Sequence, residues 1–215
     1  MVKLLLAGAS GMVGSALLRQ ALQDPRIESV LAPGRRVLAA HPRLRSPQVD
    51  FDALPAHADW WPVDAVICAL GTTLRDAGSR AAFRKVDHAY PLALARLART
   101  HGVGTYVLTS ASGADPRSRL FYSRTKGELE CELATLGFDS LTLVRPALLG
   151  GRRETHRRLE KAGMRVLGAL DPLLPRRYRV VPAEAVARSL LQAAVDARPG
   201  LHVIESEQIA RSPQR

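Results

Sequence analysis

Three glycines set at intervals of three, in Gly8-Ala9-Ser10-Gly11-Met12-Val13-Gly14, stand between two segments of different period. Before them runs an apolar stretch, Val2 to Ala7, of the kind that forms a buried parallel strand. After them Val13, Leu17, Leu18 and Leu22 recur at helical spacing through Gln23. Strand, turn and helix follow one another with no spare residues. Glycines allow a tight turn and the close approach of a pyrophosphate, and the helix start supplies oriented N–H groups and the positive end of its dipole. Gly8, Ser10, Gly11, Met12, Val13 and Gly14 are therefore candidate contacts for a phosphate-bearing nucleotide.

The rest of the chain continues the alternation. Strands are predicted at Ser29 to Ala32, Gln48 to Phe51, Val63 to Leu70, Thr105 to Ser110 and Ser140 to Arg145. Helices are predicted from Ser79 to His101, with an interruption at Pro91 and a stop at Gly102, and from Arg119 to Leu136. Such a pattern predicts an α/β, doubly wound Rossmann-type parallel sheet of order 3-2-1-4-5-6, its ligand crevice beyond the carboxyl ends of the strands. Leu201 to Ile204 offers a seventh strand, and Ala183 to Ala197 an amphipathic helix before it. Between them and Gly150, Glu154 to Leu170 reads as helix and Asp171 to Arg177 as a Pro-rich turn. At 215 residues the economical organisation is a single domain, 1–215, with 151–180 as a small substrate-side lid. The polar tail, Glu205 to Arg215, is expected to fray.

Four further motifs would meet in that crevice. After the second strand, where an acidic residue usually serves the ribose hydroxyls of NAD, the chain offers Arg35-Arg36, whose guanidinium groups suit a 2′-phosphate. NADP(H) is expected ahead of NAD(H). Asp50 and Phe51 are placed to line an adenine pocket. Ala69, Leu70, Gly71 and Thr72 end the most strand-like segment, with Gly71 letting the chain pass close to a cofactor. Thr73 reads equally as a contact or as a helix cap.

The last motif is Tyr122-Ser123-Arg124-Thr125-Lys126, whose Tyr and Lys at i and i+4 share one helix face. Lys126 is expected to lower the pKa of Tyr122 and to hold the nicotinamide ribose. Tyr122 would exchange a proton with a substrate oxygen, steadied by a serine at the preceding strand's end. Ser110 is preferred for that hydroxyl, with Ser112 in reserve. The competing structural reading pairs Lys126 with Glu130 at i+4.

Taken together, Gly8 to Gly14, Gly34-Arg35-Arg36, Val49-Asp50-Phe51, Cys68 to Thr73, Phe83-Arg84-Lys85-Val86-Asp87, Ser110 to Asp115 and Leu143-Val144-Arg145-Pro146 resemble an atypical, single-domain branch of the short-chain dehydrogenase/reductases. The resemblance runs from Lys3 to about Arg153. It implies a Rossmann fold, NADPH binding and a Ser-Tyr-Lys site, here Ser110, Tyr122 and Lys126, with Pro146 near the nicotinamide end. Many members of the wider superfamily carry an Asn in the long helix, and Val86-Asp87-His88 stands there instead.

Composition narrows the partners. Lys and Arg number 31 against 20 Asp and Glu, a formal net charge of +11. Nearly all the basic residues are arginines in separated clusters, which points to a solvated basic surface rather than a nucleic-acid partner. The expected partner is a small-molecule substrate, with monomer and homodimer both open. Only two cysteines, Cys68 and Cys131, are present, so neither a disulfide framework nor a metal knuckle is expected, and free thiols point to a reducing cytoplasm. No apolar run reaches membrane-spanning length. The functional expectation is an NADPH-dependent oxidoreductase on a small carbonyl or alcohol. The alternative is a catalytically weak, NADPH-binding sensor.

Overall fold

The computed structural model describes residues 1–150 and 180–209, with backbone only for 148–150. Its main sheet has seven strands, all parallel: β1 (Val2–Ala7), β2 (Ile27–Leu31), β3 (Leu44–Arg45), β4 (Ala65–Cys68), β5 (Thr105–Thr109), β6 (Ser140–Arg145) and, later in the chain, β9 (Gly200–Glu205). The spatial order is β3-β2-β1-β4-β5-β6-β9, as the alternation predicted, with the seventh strand added beside β6. A separate parallel pair joins β7 (Leu148–Gly150) to β8 (Val180–Pro182).

Helices cover both faces, and the inner strands are apolar on both in consequence. On one face Leu4, Leu6, Ile67, Val107 and Val144 meet Val13 and Leu17 of α1 (Met12–Gln23) and Val186 and Leu190 of the late helix Ala183–Asp196. On the other, Leu5, Val66, Tyr106 and Leu108 meet Leu94 of α4 (Tyr90–Thr100) and Leu129 and Leu133 of α5 (Phe121–Ala134). Successive residues of β1 thus serve opposite cores, as a strand requires.

Two expectations change. The third strand is Leu44–Arg45 rather than Gln48 to Phe51, where only Gln48 keeps a single bridge, to Gly34. Phe51 has instead turned inward and is buried with Trp60 and Trp61. The long helix after Ser79 is present as expected, helical without a gap through α3 (Arg80–Arg84) and α4 and interrupted between them by a π-helical turn at Lys85–Ala89. The break falls just before Pro91, whose ring has no N–H and crowds the carbonyl four residues back. In the tail, the short helix Ser206–Ile209 is docked, with Ser206 and Ile209 buried. The polar pattern missed one apolar anchor. Nearly all of the expected lid, the helix Glu154 to Leu170 and the end of the tail lie outside the described residues.

Candidate active site

Because every strand of the main sheet points the same way, the segments leaving β1, β2, β4, β5 and β6 emerge at one edge. The glycine turn, Arg35-Arg36, Ala69 to Thr72, Ser110 and Pro146 all begin there. The sequence expectations are brought to a common rim by topology alone.

At the turn, Gly8 has φ +88°, and a Cβ on it would lie 2.6 Å from the backbone of Ala69. A Cβ on Gly14 would lie 2.0 Å from the Gly8 carbonyl oxygen, so α1 sits directly on the turn. Ser10 and Gly11 are exposed, Met12 is half-buried, and Val13 packs its side chain into the core. The α1 N-cap is Gly11, and no side chain caps the helix. Its first N–H groups therefore face the rim without a side-chain partner among the described residues, which fits a pyrophosphate. Arg35 and Arg36 are exposed beyond β2 and form no ion pair among the described residues. Asp50 is exposed, and its Oδ1 accepts the Asp52 N–H at 2.9 Å; Phe51 packs against Tyr90 with ring centroids 5.6 Å apart. The two candidates for the adenine side thus part company, one at the surface and one in the core.

The chemistry-bearing groups collect on α5. Tyr122, Lys126 and Glu130 follow one another at successive turns. Lys126 is buried and its Nζ lies 2.8 Å from Oδ1 of Asp87, on the π-helical turn. Asp87 Oδ2 accepts the Thr72 N–H at 2.8 Å, and a Cβ on Gly71 would lie 3.4 Å from Oδ1. One carboxylate so ties the end of β4 to α5. Gly127 makes the approach possible from the other side: a Cβ there would lie 2.3 Å from the backbone of Asp115 and Pro116. The reading in which Lys126 pairs with Glu130 does not hold. Glu130 instead receives Arg145 through Nε at 3.0 Å and Nη2 at 2.5 Å, and Arg145 also reaches Glu205 at 3.0 Å.

Ser110 is buried, and its hydroxyl donates to Glu130 Oε1. The structure therefore directs that hydroxyl to the Glu130–Arg145 cluster, while half-buried Ser112 lies two residues on, its N–H bonded to the Pro146 carbonyl at 2.9 Å. Sequence reasoning offered Glu130 only as a partner for Lys126 and gave Arg145 no role in the site. A buried Glu on the face of Lys126 was the available signal, but only the fold reveals its partner on β6. Thr73 is a cap: its Oγ1 accepts the Asp76 N–H at 3.1 Å.

The electrostatics correct one expectation. Burial raises the Tyr122 phenol, Lys126 pulls it down, Asp87 pushes it back up, and the net direction is above the usual value of 10.0. Lys126 was expected to lower it. The lysine is in place, but burial of the phenol is the larger effect, and the ammonium is already partnered by Asp87. Burial alone would pull Lys126 down, and Asp87 with Tyr122 more than reverses this, leaving it above 10.5. Tyr122 itself is 37% exposed, its ring 5.5 Å from that of Phe83.

The fold and this site define the short-chain dehydrogenase/reductase class. Within it, the chain belongs to the NAD dependent epimerase/dehydratase family, whose sequence profile matches residues 4–126. It is 34% identical over 208 residues to the protein HTATIP2 of Rattus norvegicus, covering 94% of this chain and 85% of that one. It is also 34% identical over 180 residues to "Protein fmp52, mitochondrial" of Emericella nidulans, covering 79% and 76%. Among solved structures it resembles MoeE5 in complex with UDP-glucose and NAD, with a TM-score of 0.72, 19% identity, and coverage of 94% of this chain and 74% of that one. The UDP-Glc/GlcNAc 4-epimerase of Campylobacter jejuni superposes with a TM-score of 0.67 at 12% identity, covering 98% and 82%. At such identities these two share the fold.

The fungal relatives' names overturn the expected cytoplasmic location, since several are named mitochondrial. That expectation rested on two free thiols. A reduced cysteine reports a reducing compartment and does not single out the cytosol. No described helix is long and apolar enough to cross a membrane.

Proposed function

We propose that the chain is an NADPH-dependent oxidoreductase of the atypical short-chain type, acting on a small carbonyl compound or the corresponding alcohol. The observation that carries this reading is the placement of Tyr122 and Lys126 one turn apart on α5, beside Asp87 and Thr72, on the rim that also bears the Gly8 to Gly14 turn. NADPH, when bound, supplies a hydride. Gly8, Ser10, Gly11, Met12 and Gly14 hold its pyrophosphate through the backbone, and Gly71 and Pro146 leave room at the nicotinamide end. Lys126 holds the ribose, and Tyr122 gives its phenolic proton to the substrate oxygen. Arg35 and Arg36, exposed and without an ion pair among the described residues, favour the 2′-phosphate of NADP(H).

Ser110 favours a second reading. Its hydroxyl is committed to Glu130, as in a site that binds cofactor and turns over weakly, a sensor of NADPH.

The test is a screen of small carbonyl compounds by NADPH oxidation, repeated with Tyr122→Phe. Loss of the phenolic proton should lower the rate by about 10²-fold or more while NADPH affinity is kept. Full turnover by the variant removes Tyr122 from the chemistry. A screen without any NADPH consumption favours the sensor.

A further inference from the structure

Asp87 stands in contact with the ammonium of Lys126, one helical turn from Tyr122. Its side chain is 2% exposed and that of Lys126 4%, with 2.8 Å between Oδ1 and Nζ. The second oxygen is occupied by the Thr72 N–H, so the carboxylate is fixed by two elements at once. The thiol and phenol buried beside the pair carry no charge at neutral pH: burial pushes up both Cys68 on β4 and Tyr106 on β5. From α3, Phe83 meets Tyr122 with its ring, Arg80 lies over the Phe121 ring, and Arg84 is paired with Glu128. His88, on the same π-helical turn, is paired with Glu132. The field at Tyr122 is thus set by one ammonium and one carboxylate in contact, whose effects on the phenol oppose each other.

We propose that Asp87 is a positioning residue that cancels the Lys126 ammonium, so that Tyr122 keeps its proton through the neutral and mildly alkaline range and the site is poised to donate a proton rather than to abstract one. Burial gives the phenol its largest upward push, and Asp87 adds to it against the pull of Lys126. The consequence for direction rests on the oxidoreductase reading: a carbonyl reduced here gains a hydride at carbon from NADPH and the Tyr122 proton at oxygen, giving an alcohol. NADP⁺ and a phenolate remain, and the phenolate recovers its proton from water. Oxidation of the alcohol would need the phenolate first, which Asp87 disfavours.

Tyrosinate absorbance against pH, recorded on the cofactor-free protein as a difference from Tyr122→Phe, reads the Tyr122 ionisation without any turnover. Asp87→Asn keeps the shape and, through its amide oxygen, the acceptor for Thr72, while it removes the charge and the acceptor that faced Lys126. Tyr122 should then ionise at least about one pH unit lower, the size of effect a nearby unopposed cation has. Ionisation at an unchanged pH overturns the proposal. Asp87→Asn/Lys126→Met removes both charges and should return Tyr122 to within a few tenths of a unit of the parent. A rise of about a unit or more would mean that Lys126 acts unopposed in the parent, and would overturn the proposal even if Asp87→Asn alone fails to fold. If the carbonyl screen fails, the titration still decides the role of Asp87; if the titration fails, the screen still decides the reaction.

Discussion

The turn between β1 and α1 and the inner face of α5 meet at the same rim, yet they are built on opposite principles. At the turn the groups on offer are backbone N–H donors, and the side chains' contribution is to be missing: a methyl on Gly8 or Gly14 would collide with neighbouring backbone. On α5 the working groups are charged side chains held indoors, each by a partner distant in sequence, Lys126 by Asp87 and Glu130 by Arg145. The two regions should fail differently. Steric seats break outright and cannot be repaired by a second change nearby. Buried charges break by orphaning a partner, and removing the partner repairs them.

The largest effect tests the first half of that contrast. Gly14→Ala places a methyl 2.0 Å from the Gly8 carbonyl oxygen, so α1 must leave the turn. A loss of more than about 4 kcal/mol is expected, in the range reserved for severe overpacking or strain. Urea unfolding measures it. A loss under about 1 kcal/mol would show that the helix is not seated by this contact. Next comes Lys126→Met, which strands the buried Asp87 carboxylate and should cost about 3–5 kcal/mol. Asp87→Asn/Lys126→Met should recover most of it. Equal losses in the single and double variants would erase the distinction between the two regions. Since the folded lysine titrates above its usual 10.5, the stability from this pair is fully present below that pH and lost as pH rises through the folded value.

The same contrast explains what the sequence disclosed. Gly8 to Gly14 is legible because its meaning is local: strand, turn and helix are consecutive, and the sheet order follows from alternation with right-handed crossovers. Tyr122 and Lys126 are legible because i and i+4 on a helix share a face. The partner of Lys126 was not legible. Spacing favours Glu130 on the same helix, whereas the fold brings in Asp87 from a π-helical turn, where one extra residue per turn shifts the faces that follow. The sign of the Tyr122 shift was lost as well, since it is set first by burial of the phenol and then by Asp87. The burial of Phe51 was not legible for a similar reason: an apolar residue beside an acid reads as an edge until the fold packs it with Trp60 and Trp61.

A smaller effect probes the outer limit of the backbone-built region. Arg35→Ala/Arg36→Ala, at exposed positions, should leave stability within about 0.5 kcal/mol. If these guanidinium groups take a 2′-phosphate, NADPH affinity should fall about tenfold or more, the worth of a charge-assisted hydrogen bond, while NADH affinity changes little. Titration of both cofactors checks it. Equal weakening of the two would mean that the arginines supply general attraction and do not read the phosphate.

The smallest effect lies where the two regions adjoin. Thr73 follows the Asp87-bound Thr72 and caps the short, exposed helix Leu74–Ala77 by accepting the Asp76 N–H at 3.1 Å. Thr73→Ala should therefore cost about 0.5–1 kcal/mol, the lower part of the range for a lost cap. Cofactor affinity should stay within about twofold, since the hydroxyl is already used at home; RT at room temperature makes a twofold change about 0.4 kcal/mol, below the worth of one hydrogen bond. Paired measurements of unfolding and NADPH binding distinguish the outcomes. Should affinity fall several-fold with stability unchanged, the Thr73 hydroxyl serves the ligand and the side-chain-built region extends from α5 across the end of β4.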